Sequence, residues 1–189
     1  LRDEFRKVTR KLRSAPLRSL GDLTIECDER IGSQYTRKTR LIGVSSAEGL
    51  CKPKTAIGKN TGKYKILDIG YLAYNPMRVN IGSIGVATDD FHRGVTSPDY
   101  VVFRCTEELD PEYVFHYLRS ETGKHEINQK TKGSVRFRLY YAQLSEIEIP
   151  VPKDVAIQRE FACICRRLEC IRHTTREVVD RPERTLDAL

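Results

Sequence analysis

No run of apolar residues in this 189-residue chain approaches the roughly 20 needed to cross a bilayer, and no short apolar segment with a cleavage site stands at its start. A cytoplasmic protein without membrane contact is therefore expected. Six cysteines are present, but paired spacing is missing: Cys27, Cys51 and Cys105 are isolated, and Cys163, Cys165 and Cys170 share one predicted helix with no C-x-x-C. Zinc sites want paired ligands at turn spacing, so neither a metal site nor a disulfide framework is read, and reduced, mostly buried thiols are expected. Catalytic signatures are lacking as well. No H-E-x-x-H or G-x-S-x-G occurs, and the four histidines (His92, His116, His125, His173) are scattered. Gly58 to Tyr64 looks like a phosphate loop but has three residues between its glycines, and Tyr64 stands where a magnesium-binding hydroxyl is needed. Asn75-Pro76-Met77-Arg78 resembles the Asn-Pro-Pro-aromatic signature of adenine methyltransferases but lacks the second proline and the aromatic, which leaves a turn. No catalytic residue and no resident cofactor is read.

Acidic residues are the scarcest where basic ones crowd. Between Arg30 and Lys65 nine basic residues stand against Glu48 alone, a local charge of +8, whereas the whole chain carries +7. A cationic segment in an otherwise neutral protein suits a polyanion, because each lysine or arginine placed on a phosphate releases a condensed counterion. The other reading is a solvated loop. With 39% hydrophobic and 31% charged residues the composition is that of a globular domain.

The stretch from Tyr64 to Tyr100 organises the rest. Tyr64, Ile66 and Leu67 lead into a strand closed by Gly70, Tyr71 to Tyr74 resume it, and Asn75-Pro76 breaks it; Gly82, Gly85 and Gly94 punctuate a second extended region that ends at Ser97-Pro98. Further strands are predicted around Leu23 and Ile25, over Leu41 to Val44, over Tyr100 to Cys105, over Val135 to Leu139 with Arg136 and Arg138 on one exposed face, and over Ile147 to Val151. A helix follows Asp110, a suitable N-cap with Pro111 at the first helical position, and is expected to end at Gly123, before a polar passage from Lys124 to Gly133.

Two helices frame the strands. Leu1, Phe5, Val8 and Leu12 make an apolar stripe on a helix that Pro16 ends, and that stripe needs a partner. From Asp154 to about Val179, Ile157, Phe161, Ile164, Leu168 and Ile171 alternate in steps of four and three, a heptad seam for a partner helix in this chain or another. The alternative is a helix lying on its own domain. Because the chain starts at Leu1 inside a helical pattern, a domain cut from a longer polypeptide is expected. The organisation read is an N-terminal helix over residues 1–16, a recognition domain over 17–152, a long helix over 153–180 and a tail over 181–189.

Asn75-Pro76-Met77-Arg78-Val79-Asn80, Gly85-Val86, Gly94 to Tyr100, Pro111-Glu112-Tyr113 and Pro150-Val151-Pro152 followed by Gln158 together resemble the target recognition domain of type I restriction-modification specificity subunits, and the similar domain of fused type II restriction-methyltransferase enzymes. The resemblance covers about residues 17 to 175. It implies an α+β fold, a β-rich domain with short packed helices and a long C-terminal coiled-coil-type helix. It implies further that the chain binds double-stranded DNA, reads a half-site, and docks a methyltransferase subunit and a restriction subunit. S-adenosylmethionine, ATP and magnesium would then act only in those partners. Two features depart from the family pattern. Ile157 stands where Glu commonly precedes the glutamine, and one recognition domain is present where complete subunits carry two, so the chain is half of a longer protein or a homodimer through its helices.

With the basic segment, this implies phosphate contacts by Arg37, Lys38, Arg40, Lys59, Lys63, Lys130 and Lys132. Base-edge contacts are assigned to Asn75, Arg78, Asn80, Arg136 and Arg138, since arginine pairs bidentately with guanine and asparagine with adenine. Asn75 and Asn80 could instead shape turns, and Arg136 could cap Glu146 or Glu148. A protein-binding adaptor with an incidental basic loop, or a nuclease or methyltransferase fragment, is the alternative.

Overall fold

The computed structural model describes residues 2–53, 58, 60–89, 93–131 and 137–179. Among them, two four-stranded sheets pack face to face. One has the order β2 (Thr24–Glu26), β9 (Val101–Cys105), β6 (Tyr71–Tyr74), β7 (Ile84–Val86), antiparallel throughout. The other runs β4 (Gly49–Cys51), β3 (Leu41–Ser45), β8 (Gly94–Thr96), β5 (Lys65–Leu67), with β3 and β8 parallel. A short pair, β1 (Leu17–Ser19) with β10 (Glu148–Pro150), closes the far end.

The sheets are stitched at both edges. Beyond β2, Cys27 N–H still donates to Val102, and then Ile66 N–H donates to Glu29 at 2.9 Å, so the chain leaves one sheet and joins β5 of the other. At the opposite edge β7 lies so close to β4 that a Cβ on Gly85 would stand 2.5 Å from the Leu50 amide nitrogen, which is why a glycine occupies this position. Over Leu72–Tyr74 and Val101–Phe103, β6 and β9 therefore have no solvent face. Leu72, Tyr74, Val101 and Phe103 enter the larger core under the helices, whereas Ala73 and Val102 enter the smaller core with Ile42, Leu50, Leu67 and Ala87. A strand buried on both faces reads as a continuous apolar run, and YLAY and VVF are such runs.

The larger core is roofed by helices. α3 (Pro111–Arg119) starts where Asp110 Oδ1 accepts from Tyr113 N–H at 3.0 Å, with Pro111 in the first turn. It ends at Ser120, not Gly123: Ser120 caps its C-terminus and, through Oγ, starts α4 (Glu121–Lys130). Gly123 is needed inside α4 because a side chain there would collide with the Tyr117 carbonyl. The expected polar passage is thus helical to Lys130; only Gly123 and Ile127 of α4 are buried, too few apolar anchors to print a helical period. Phe137 to Tyr140 does not form the expected strand. It is an irregular segment held by Leu139 N–H donating to Pro76 at 3.0 Å, and Val135 and Arg136 lie outside the described residues. Two short helices, α2 (Leu20–Leu23) and α5 (Tyr141–Ser145), bury Leu20, Leu23 and Leu144.

α6 (Val155–Val179) finds its partner within the chain. Ile157, Phe161, Ile164 and Leu168 pack on the larger core, and the Phe161 ring stacks on Phe5 of α1 (Arg2–Arg13) at 6.3 Å and meets Tyr113 of α3 edge-on at 5.6 Å. Val8 and Leu12 of α1 are buried in the same cluster. Ile171, one turn further out, is 53% exposed.

Candidate nucleic-acid interface

Two adjoining clefts open beside the turn that comes after β6. The first, about 650 Å³, is lined by β3 together with Lys63, Tyr64, Asn75, Arg78 and Tyr100. The second, about 500 Å³, is lined by Lys65, Asn75, Met77, Tyr100, Arg138 and Tyr140, with Glu26 and Asp99 as its acids. Asn75 and the segment Ser97 to Tyr100 belong to both and form the wall between them.

The turn is stiff for local reasons. Asn75 Oδ1 accepts from Met77 N–H at 3.0 Å, its carbonyl accepts from Arg78 N–H at 3.0 Å, and its own N–H donates to Ser83 at 3.1 Å. Buried Pro76 and Val79 anchor the two ends, so Met77 and Arg78 project between them. The bond from Leu139 to Pro76 ties the segment carrying Arg138 to the same turn. Arg138 Nη1 donates to Tyr140 Oη at 3.0 Å, which orients the guanidinium while leaving it exposed. Arg78 and Arg138, far apart in sequence, are thus displayed from two hydrogen-bonded segments, one on each cleft. Asn75 commits its side-chain oxygen to the turn. Asn80 lies in the 3-10 turn Val79–Ile81, against α4, and lines neither cleft. Arg136 lies outside the described residues.

The basic segment divides. Lys65 is only 6% exposed and pairs with Asp28 at 2.8 Å, and Arg30 pairs with the same carboxylate at 3.0 Å. Those two cations hold the Asp28 carboxyl below the usual carboxylate range, Lys65 contributing more than Arg30. Arg30 also donates to the Lys63 carbonyl at 3.0 Å, and Ile31 N–H to the Tyr64 carbonyl at 3.0 Å, so these two charges knit the loop after β2 to the loop before β5. Arg37, Lys38, Arg40 and Lys63 are exposed, and Lys63 lines the first cleft. Lys130 bridges Glu146 at 3.1 Å on the helical side and lines neither cleft. Lys54, Lys59 and Lys132 lie outside the described residues.

Among the described residues, nothing in the clefts resembles a catalytic set. His116 is 7% exposed, buried between α3 and α6; burial foremost, then Arg119 and Arg166, lower its pKa to about 4. Glu169 at 3.8 Å is too distant to hydrogen-bond it, and the imidazole is neutral. Among the described residues no group of three or more His, Cys, Asp or Glu could hold a metal, and no helix is long and apolar enough to cross a membrane. The thiols are less buried than expected: Cys163 and Cys170 are exposed and the others half-buried.

Gln158 has a role that its place in the sequence does not reveal. It is fully buried; its side-chain oxygen accepts from Asp110 N–H at 2.9 Å, and its amide donates to the carbonyls of Glu108 (2.9 Å) and Pro152 (3.0 Å). Tyr113 Oη adds a bond to the Pro150 carbonyl. The segment Pro150 to Gln158 therefore locks the start of α6 onto α3, which accounts for this part of the resemblance as a structural clamp.

The architecture is α+β, a doubly packed β unit roofed by short helices and continued by a long one. It is the fold of the type I restriction-modification specificity subunit. A structure from work on complex assembly and conformational transition of the type I R-M system matches with a TM-score of 0.66 at 19% identity, covering 86% of this chain and 43% of that one. The HsdS subunit from Thermoanaerobacter tengcongensis matches with a TM-score of 0.64 at 18% identity, again over 86% of this chain and 43% of that one. The type I S subunit from M. genitalium matches with a TM-score of 0.58 at 13% identity, over 93% and 49%. The chain thus spans a little under half the length of these structures. Comparison with protein-family models and with curated proteins finds no match.

Proposed function

We propose that this chain is a DNA target recognition domain of the type I specificity kind, reading one half-site of duplex DNA and presenting it to a methyltransferase subunit, and to a restriction subunit, that carry the chemistry. The observation that carries this is the shared fold over most of the chain. The clefts support it, since exposed Lys63, Arg78 and Arg138 line them beside the hydrogen-bonded turn from Asn75 to Val79. Phosphate contacts by Lys63, Arg37, Lys38 and Arg40 would set position, and base-edge contacts by Arg78 and Arg138 would set sequence. Coverage of under half of each specificity subunit fits one recognition unit of a two-unit assembly, completed by a second unit in a longer chain or by a second copy.

The test is selection of duplexes from a random pool with the methyltransferase subunit present. A consensus half-site, bound with an affinity that falls steeply as salt rises, is expected. A pool that remains random, or binding indifferent to salt, would overturn the proposal. Incubated alone with DNA, magnesium and S-adenosylmethionine, the chain is expected to leave the DNA uncut and unmethylated; turnover would make it a catalytic fragment instead.

A further inference from the structure

Met77 is the single methionine of the chain, and it is held in the open. At 55% exposure it stands between buried Pro76 and Val79 on the turn that Asn75 closes, so its exposure is imposed by a backbone bonded at both ends and by two anchored neighbours. Its surroundings are polar and carry charges of both signs, with Glu26 and Asp99 on the same cleft. Arg78 is its neighbour in sequence, and across the second cleft stand Arg138 and Tyr140, the latter 48% exposed with its hydroxyl bonded to Arg138. An apolar tip rigidly displayed beside charged and polar groups gains nothing from water.

We propose that Met77 is a specificity determinant that reads the 5-methyl group of a thymine in the major groove. This rests on the DNA-recognition reading above. In that groove the edges of the bases offer hydrogen-bond donors and acceptors, which suit Arg78 and Arg138, and one apolar group, the thymine methyl, which suits a lone thioether side chain between them. The unbranched side chain can follow the methyl without backbone movement, and the stiffness of the turn removes the ordering cost that a mobile loop would incur.

The test uses the chain and the consensus duplex selected by the wild-type protein, with each thymine replaced in turn by deoxyuridine, which removes the methyl and nothing else. One replacement is expected to weaken wild-type binding about fourfold, the equivalent of one methyl-sized contact. Met77→Ala should bind the thymine and uracil duplexes equally, at the weakened level and with an unchanged salt slope, and Met77→Leu should restore the discrimination. A thermal midpoint for Met77→Ala equal to wild type would show the fold intact. Indifference to every replacement, a consensus without A·T pairs, or a Met77→Ala variant that still distinguishes uracil would overturn the proposal while leaving salt-dependent DNA binding in place. Loss of DNA bending in Met77→Ala with no uracil effect would overturn it in favour of a wedge between base steps. Absence of salt-dependent binding by the wild type would overturn the DNA reading itself.

Discussion

Lys65 shows how a charge counted along the chain can vanish from the surface: buried and bonded to Asp28, it contributes to the join between the sheets and not to the exposed positive charge. Lys63, two residues earlier, is exposed on the cleft and keeps its charge for a partner. Lys63→Ala is therefore expected to weaken binding to all duplexes alike and to reduce the log–log salt slope by about 0.9, whereas Arg138→Ala should cost about 1–3 kcal/mol on the cognate site and little on random DNA. Titrations at several salt concentrations on both duplexes separate the two. The buried His116 sets a pH signature of its own. Its folded pKa of about 4 lies below the ordinary 6.5, so between those values the unfolded chain takes up a proton that the folded chain refuses. Stability is fully present above pH 6.5 and is lost on acidification, by on the order of 3 kcal/mol by pH 4. Denaturant unfolding at pH 7 and pH 4.5 should show the loss, and His116→Gln should diminish it. Asp28 acts lower still: its depressed pKa contributes stability that is lost only as the pH falls below the usual carboxylate range.

At the scale of elements, the long helix has two halves with different duties. Phe161 is wedged between Phe5 and Tyr113, so Phe161→Asp would set a charge against the core and is expected to lower its stability by about 2–4 kcal/mol, as read by thermal melting. Ile171→Asp, on the exposed outer half, should leave the melting temperature unchanged and weaken co-purification with a methyltransferase subunit. Unaltered co-purification would confine the seam to intramolecular packing. The sheet join makes a comparable demand. Gly85→Ala forces β4 away from β7 and is expected to cost about 1–3 kcal/mol in denaturant unfolding, with the first cleft distorted because β3 moves with β4.

For the molecule as a whole, the elements that were legible are those with a local cause. Asp110-Pro111 starts a helix because a carboxylate and a fixed φ suit a first turn; Ile147, Ile149 and Val151 alternate because Glu148 stays outside. Phe137 to Leu139 alternates as well, yet carries no strand. Alternation reports which side is buried, and a single bond from Leu139 to Pro76 achieves that burial without a ladder. α4 was hidden for the converse reason, since a helix that buries two residues needs no stripe. The candidate interface was legible only in its ingredients. Arg78 and Arg138 could be picked out as polar groups near turns, but not that their segments are bonded to each other, and Met77 carried no signal beyond sitting on the turn.

The sequence by itself determined the local terms of this protein: where strands and helices start, that Asn75-Pro76 turns, that cations crowd between Arg30 and Lys65, and that the last helix has an apolar seam. Tertiary structure alone decided what those features face. Whether a lysine meets Asp28 or solvent, whether a seam meets Phe5 or a second protein, and which turn stands beside Arg138 all depend on contacts between residues tens of positions apart. Periodicity records that a side chain is covered, but the identity of its cover is set only by how the whole chain closes on itself.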